Sequence, residues 1–124
     1  MPFLQSCVYK GGPGMSDNAS ASVYSSCDCV DLCLTCRINM ENGDIWSIRI
    51  ERDGYTREDE VTVSFGNGKT CSRVFDQTKE GQPGVMLADI LERGARFSDG
   101  LSSPCVLCEK DRNDCIDLVR RMAG

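Results

Sequence analysis

Histidine is absent from the 124 residues, and with it go the commonest general base and every Ser-His or Cys-His nucleophile pair. An enzyme is therefore not expected. Aromatic side chains are scarce, with one Trp, three Tyr and four Phe, so the core of a chain that can bury about two-thirds of its unfolded surface in one domain will be a light one. No apolar run approaches the roughly 18 residues that a membrane span needs, and Met1-Pro2-Phe3-Leu4 has neither the basic start nor the apolar stretch of a secretory signal. The expected setting is a reducing cytoplasm with no membrane partner. Bases are also outnumbered: 14 Lys and Arg face 19 Asp and Glu, a net charge of −5 with a pI near 4.7. A phosphate backbone would be repelled at long range, so direct nucleic-acid binding is not expected. Acidity suits a basic protein partner, and equally suits plain solubility.

What the chain has in abundance is cysteine, nine in all, four of them within Cys27-Asp28-Cys29-Val30-Asp31-Leu32-Cys33-Leu34-Thr35-Cys36. Thiols this dense point to a metal site, to disulfides or a redox centre, or to buried apolar groups. In a reducing compartment ligands and core groups come before disulfides. Zinc is the leading reading, because Cys33/Cys36 and Cys105/Cys108 both have the Cys-x-x-Cys spacing that converges two sulfurs across one turn; an iron-sulfur cluster is the alternative cofactor. Two ligand sets compete. Cys27, Cys29, Cys33 and Cys36 would form a local site with little loop-closure entropy. Cys33 and Cys36 with Cys105 and Cys108 would close a loop of about 70 residues and staple the ends of the fold, which is the favoured arrangement and leaves Cys27 and Cys29 for a second ion. Cys71 and Cys115 read as core, and Cys7 as a lone exposed thiol.

Residues 1–26, with Gly11-Gly12-Pro13-Gly14 followed by Ser16, Ser20, Ser22, Ser25 and Ser26, read as a flexible arm, in which Met15 is a second possible translation start and Val23 and Tyr24 dock at most as a short edge segment. Residues 27–124 form the expected cysteine-rich domain. Leu34, Cys36, Ile38 and Met40 alternate with polar residues as a half-buried strand, and Asn42-Gly43 turns it into a second strand with Trp46, Ile48 and Ile50 facing in. Asp53-Gly54 and the charged run Arg57-Glu58-Asp59-Glu60 make a long loop before a third strand with Val61, Val63 and Phe65. Gly66-Asn67-Gly68 leads to a fourth strand over Thr70 to Phe75. Pro83-Gly84 then opens a helix carrying Met86, Leu87, Ile90 and Leu91, with Gly94 as its end. Ser103 and Pro104 announce a second helix with Cys105, Cys108, Arg112, Cys115, Val119 and Met122 on one stripe. The expected class is α+β: an antiparallel four-stranded meander followed by two helices, stapled by a cysteine metal site.

From residue 45 to about residue 100 the pattern resembles a family of small proteins of unknown function from phages and other mobile elements. The shared features are two strands, the second reading Val61-Thr62-Val63-Ser64-Phe65-Gly66, a polar stretch with a proline, and a helix beginning Leu87-Ala88-Asp89-Ile90-Leu91. The flanking cysteine segments depart from it, and the family has no known catalytic residues to carry over. The resemblance implies an accessory protein that binds and disables or redirects a host machine, and hence the cytoplasm of the host cell. The expected function is a small acidic zinc-binding interaction protein. It would present Glu51, Asp53, Glu58, Asp59 and Glu60 to a basic site on a host protein that handles nucleic acid, such as a nuclease or polymerase. Two other classes stay open: a nucleic-acid-binding zinc module using Arg112, Arg120 and Arg121, and a thiol redox or metal-sensing protein, against which Asp28 and Asp31 would act by raising thiol pKa values.

Overall fold

Two Asn-Gly pairs set the frame of the sheet. In the computed structural model, which describes residues 20–25, 32–96 and 104–123, Gly43 and Gly68 both take positive φ, 96° and 92°. The Oδ1 of the preceding asparagine, Asn42 or Asn67, accepts from the backbone N–H of Asp44 or Lys69 at 2.9 Å. Each turn is closed by a pair of backbone bonds, Met40 N–H to Asp44 O and Gly43 N–H to Met40 O in the first, Phe65 N–H to Lys69 O and Gly68 N–H to Phe65 O in the second. Only a residue without Cβ takes this conformation freely, so these two tight turns are local properties of the sequence.

The strands they join are β2 (Leu32–Asn39), β3 (Ile45–Asp53), β4 (Glu58–Ser64) and β5 (Thr70–Asp76), a meander as expected. The sheet nevertheless has six strands, not four. Ser20–Ser25 is β1 and Cys105–Val106 is β6, and the spatial order is β5-β4-β3-β2-β1-β6, antiparallel throughout. Ser20–Ser25, expected as part of the arm, is instead sheet: Ala21 and Val23 are fully buried in a strand hydrogen-bonded on both sides, and residues 1–19 and 26 lie outside the described residues. The charged run is also not all loop, because Glu58, Asp59 and Glu60 begin β4. The loop that remains is held by Asp53, whose Oδ1 accepts from the backbone of Tyr55 (2.8 Å) and Thr56 (3.2 Å), and Arg57 sits there at φ 62°.

Two helices, α1 (Pro83–Ala95) and α2 (Glu109–Ala123), complete the described elements. Pro83 opens α1 with Gln82 as its N-cap. The second helix starts at Glu109, five residues later than Pro104, where the sequence suggests it. Cys105 and Val106 are used as a strand pairing with Val23 and Ser22, the carbonyl of Cys108 takes the first helical bond from Arg112 N–H (2.9 Å), and Glu109 and Asp111 fill the first turn, where carboxylates suit the helix dipole. Pro104 precedes a strand rather than a helix.

Both helices lie on one side of the sheet. Leu87, Ala88, Ile90 and Leu91 of α1 and Cys115, Leu118, Val119 and Met122 of α2 close over Leu34, Ile38, Trp46, Ile48, Val61 and Val63. Trp46 meets the Phe65 ring edge-on at 5.2 Å, and the Arg120 guanidinium stands 5.9 Å above the indole. Gly84 and Gly94 are the points of closest approach: a Cβ on Gly84 would run into the Phe75 ring, and one on Gly94 would meet Leu107 Cδ2 at 2.6 Å and Val23 Cγ1 at 2.8 Å. Gly94, expected as a helix end, is a packing residue. No described helix is long and apolar enough to cross a membrane.

Candidate functional site

Strand alternation decides the fate of the Cys-x-x-Cys motif. Side chains two apart share a face and side chains three apart do not, so Cys36 points with Leu34 and Ile38 toward the helices while Cys33 lies on the other face in register with Glu51. On a continuous strand the two thiols therefore do not converge as they would across a turn. Cys105 does face the helix side, but it is separated from Cys36 by Val23 in the row Cys105, Val23, Cys36, Ile48, Val63, Cys71 that runs across all six strands. Cys108 caps α2. Cys27 and Cys29 lie outside the described residues, and among the described residues no three Cys, Asp or Glu side chains come together as a metal-holding group.

Cys36 and Cys115 are core groups, both fully buried. Desolvation pushes the Cys36 thiol up to about 12. The Cys115 thiol goes up for the same reason, reinforced by the neighbouring Cys36. A thiol whose pKa is raised by folding stabilises the folded state fully below its unfolded pKa, near 9, and loses that contribution as pH climbs toward the folded value. Stability should therefore fall above about pH 9, on the order of 1 kcal/mol per pH unit per thiol. Denaturant titrations of the parent and of Cys36→Val at pH 8 and pH 10.5 test this. The variant should match the parent within about 1.5 kcal/mol at pH 8, keep the parent's zinc content and show a shallower alkaline decline. Loss of zinc in Cys36→Val would return this thiol to the ligands.

The five acids expected to form a partner surface separate in the same way. Asp59, in phase with Val61 and Val63, is 0% exposed and turned toward α1, so it is not part of any surface. Arg52, in phase with Trp46, Ile48 and Ile50, donates Nε and Nη2 to its two carboxylate oxygens at 2.9 Å each and Nη1 to Asp89 and Glu92 of α1 at 2.9 Å each. Gln77 Nε2 completes Asp59 Oδ1 at 2.8 Å. Burial works to lower the Arg52 pKa, but the hydrogen bonds and charges of Asp59 and Asp89 outweigh it and push the value up. This network is a clamp between sheet and helix. The alternation Trp46, Ile48, Ile50, Arg52 and Asp59, Val61, Val63 marks both residues as inward-facing in the sequence itself.

Glu51, Asp53, Glu58 and Glu60 do share the other face of the sheet, which carries no helix among the described residues. They stand in two adjacent rows, Glu51 beside Glu60, and Asp53 beside Glu58 beside Asp76. Arg49 pairs with Glu51 at 3.0 Å. Asp76 is held low by Thr78, whose hydroxyl and backbone N–H both donate to it, with Lys79 and Arg57 nearby. The rest of the face is rich in hydroxyls: Ser22, Arg37, Ser47, Ser64 and Thr70 form one row, and Tyr24, Thr35, Arg49, Thr62 and Ser72 the next.

No family model, curated protein or solved structure matches this chain.

Sequence reasoning missed Asp76 as a fifth acid and Arg37 with Tyr24 as a cationic and aromatic pair, since strand order and register are needed to bring them together.

Proposed function

We propose that the protein is a binding protein rather than an enzyme, an accessory of a phage or mobile element that docks the acidic end of its open sheet face onto a basic surface of a host protein that handles nucleic acid. One observation carries this reading. Like charges directly opposite on neighbouring strands destabilise a sheet, and Glu51/Glu60, Asp53/Glu58 and Glu58/Asp76 are three such pairs in adjoining rows, with Glu51 held in an ion pair by Arg49 within this face. A partner's cations would relieve that repulsion, converting a local defect into affinity and steering. The nucleic-acid reading is weaker because two of its three bases are engaged within the fold, Arg120 over Trp46 and Arg112 with Glu109 and Asn113. The thiol-redox reading is weaker because burial keeps Cys36 and Cys115 protonated at neutral pH. Zinc stays a companion proposal, tested by elemental analysis of protein purified without added metal.

Reversing Glu58 and Glu60 to Lys tests the docking reading. The double variant should be as stable as the parent or slightly more so, because the opposed pairs become attractive, while its association with a partner captured from host lysate slows and loses its salt dependence. Unchanged association kinetics would remove the acidic rows from the interface, and tight binding of bare DNA or RNA by the parent at about 0.15 M salt would favour the nucleic-acid module.

A further inference from the structure

Strand β2 lies between β1 and β3, and its open-face residues Arg37 and Asn39 stand beside Ser22 and Ser20 of β1. Together Ser22, Tyr24, Arg37, Asn39 and Pro104 line a depression of about 230 Å³. Each of its polar side chains can donate a hydrogen bond: a guanidinium, an amide whose Nδ2 is already oriented by Ser20 Oγ at 3.0 Å, a serine hydroxyl and a phenol. Arg37 is exposed and makes no ion pair with a described residue, whereas the other arginine of this face, Arg49, is bound to Glu51. The acidic rows begin four residues along the strand, roughly 13 Å away at about 3.3 Å per residue. The Tyr24 ring and Pro104 add apolar wall. The volume is below the ~300–1,000 Å³ of sites for drug-sized molecules, which limits an occupant to about one ring.

We propose that this depression binds a small organic anion, whose single carboxylate or phosphate group meets Arg37 and Asn39 while a ring or short apolar body rests against Tyr24 and Pro104. Either oxyanion can take two parallel hydrogen bonds from the guanidinium fork, and a site built on hydrogen-bonded strands holds its donors in fixed positions. The site is independent of the acidic docking surface, because it uses the opposite end of the same face.

The test is an NMR titration of the full chain with benzoate, phenyl phosphate, inorganic phosphate and neutral benzamide. Benzoate or phenyl phosphate should give saturable shifts at the amides of Ser22 to Tyr24 and Arg37 to Asn39, and the tighter of the two identifies the preferred oxyanion. Benzamide should not saturate, and inorganic phosphate should bind more weakly than phenyl phosphate. Arg37→Gln should weaken binding about tenfold or more with an unchanged melting temperature, whereas Arg73→Gln, an exposed arginine on β5, should have no effect. Shifts that fail to saturate for every anion, or binding that survives Arg37→Gln, overturn the proposal.

Discussion

Replacing Arg52 with alanine should lower the folding free energy by about 3–5 kcal/mol, the largest effect expected of any single charge in the molecule. The size follows from what is left behind. Asp59 is 0% exposed and takes two of its hydrogen bonds from this guanidinium, so the variant buries a carboxylate with only Gln77 to answer it. Asp89 and Glu92 lose their shared cation as well, but they are partly exposed, at 56% and 38% of their side-chain surface, and water can replace most of that interaction. Lysine at 52 should recover only part of the loss, since a single ammonium cannot serve both oxygens of Asp59 and reach α1 at the same time. The double replacement Arg52→Met with Asp59→Leu should be much less damaging than either single change, because it removes the buried charge with its partner. Urea denaturation of these variants, with Arg52→Met and Asp59→Leu also made singly, separates these cases. Additive losses across the pair would mean that the two residues do not act as a clamp.

Valine at Gly94 should destabilise by about 1–3 kcal/mol. Two effects of opposite sign meet at this position. A glycine inside a helix gives up about 1 kcal/mol relative to alanine through backbone entropy, so any side chain begins with an advantage. Against it stands geometry: a Cβ there would sit 2.6 Å from Leu107 and 2.8 Å from Val23, both in the seam where α1 crosses the β1–β6 edge of the sheet. Val23 is fully buried and Leu107 nearly so, which leaves little room to yield, and valine adds two methyl groups to the overlap. Packing therefore outweighs propensity. Asparagine is informative as well: it would be tolerated at a glycine that ends a helix in the left-handed conformation, and it should fail at one whose role is close approach. Thermal unfolding of Gly94→Ala, Gly94→Asn and Gly94→Val should show a graded loss, with valine lowest, and a stabilised alanine variant would show that the seam can relax.

Local chemistry was legible wherever the determinant lies within a few residues of its effect. Asn42-Gly43 and Asn67-Gly68 fix two turns, period-two alternation fixes which face of β2, β3 and β4 is buried, and Pro83 fixes where α1 begins. The same alternation, carried one step further, names Arg52 and Asp59 as inward-facing. The cysteine spacing reads differently once the strand is known. Cys-x-x-Cys converges two sulfurs only on a turn or a helix, and the strand pattern around Leu34 and Ile38 places Cys33 and Cys36 on opposite faces of the sheet. Tertiary structure alone decided three things: that Ser20–Ser25 enters the sheet between β2 and β6, that two residues before α2 complete the sheet's edge, and that acids from three strands gather in adjoining rows. Each depends on backbone pairing between segments far apart in sequence, and hydrogen bonds between main chains carry no signature of side-chain identity that a single sequence could show.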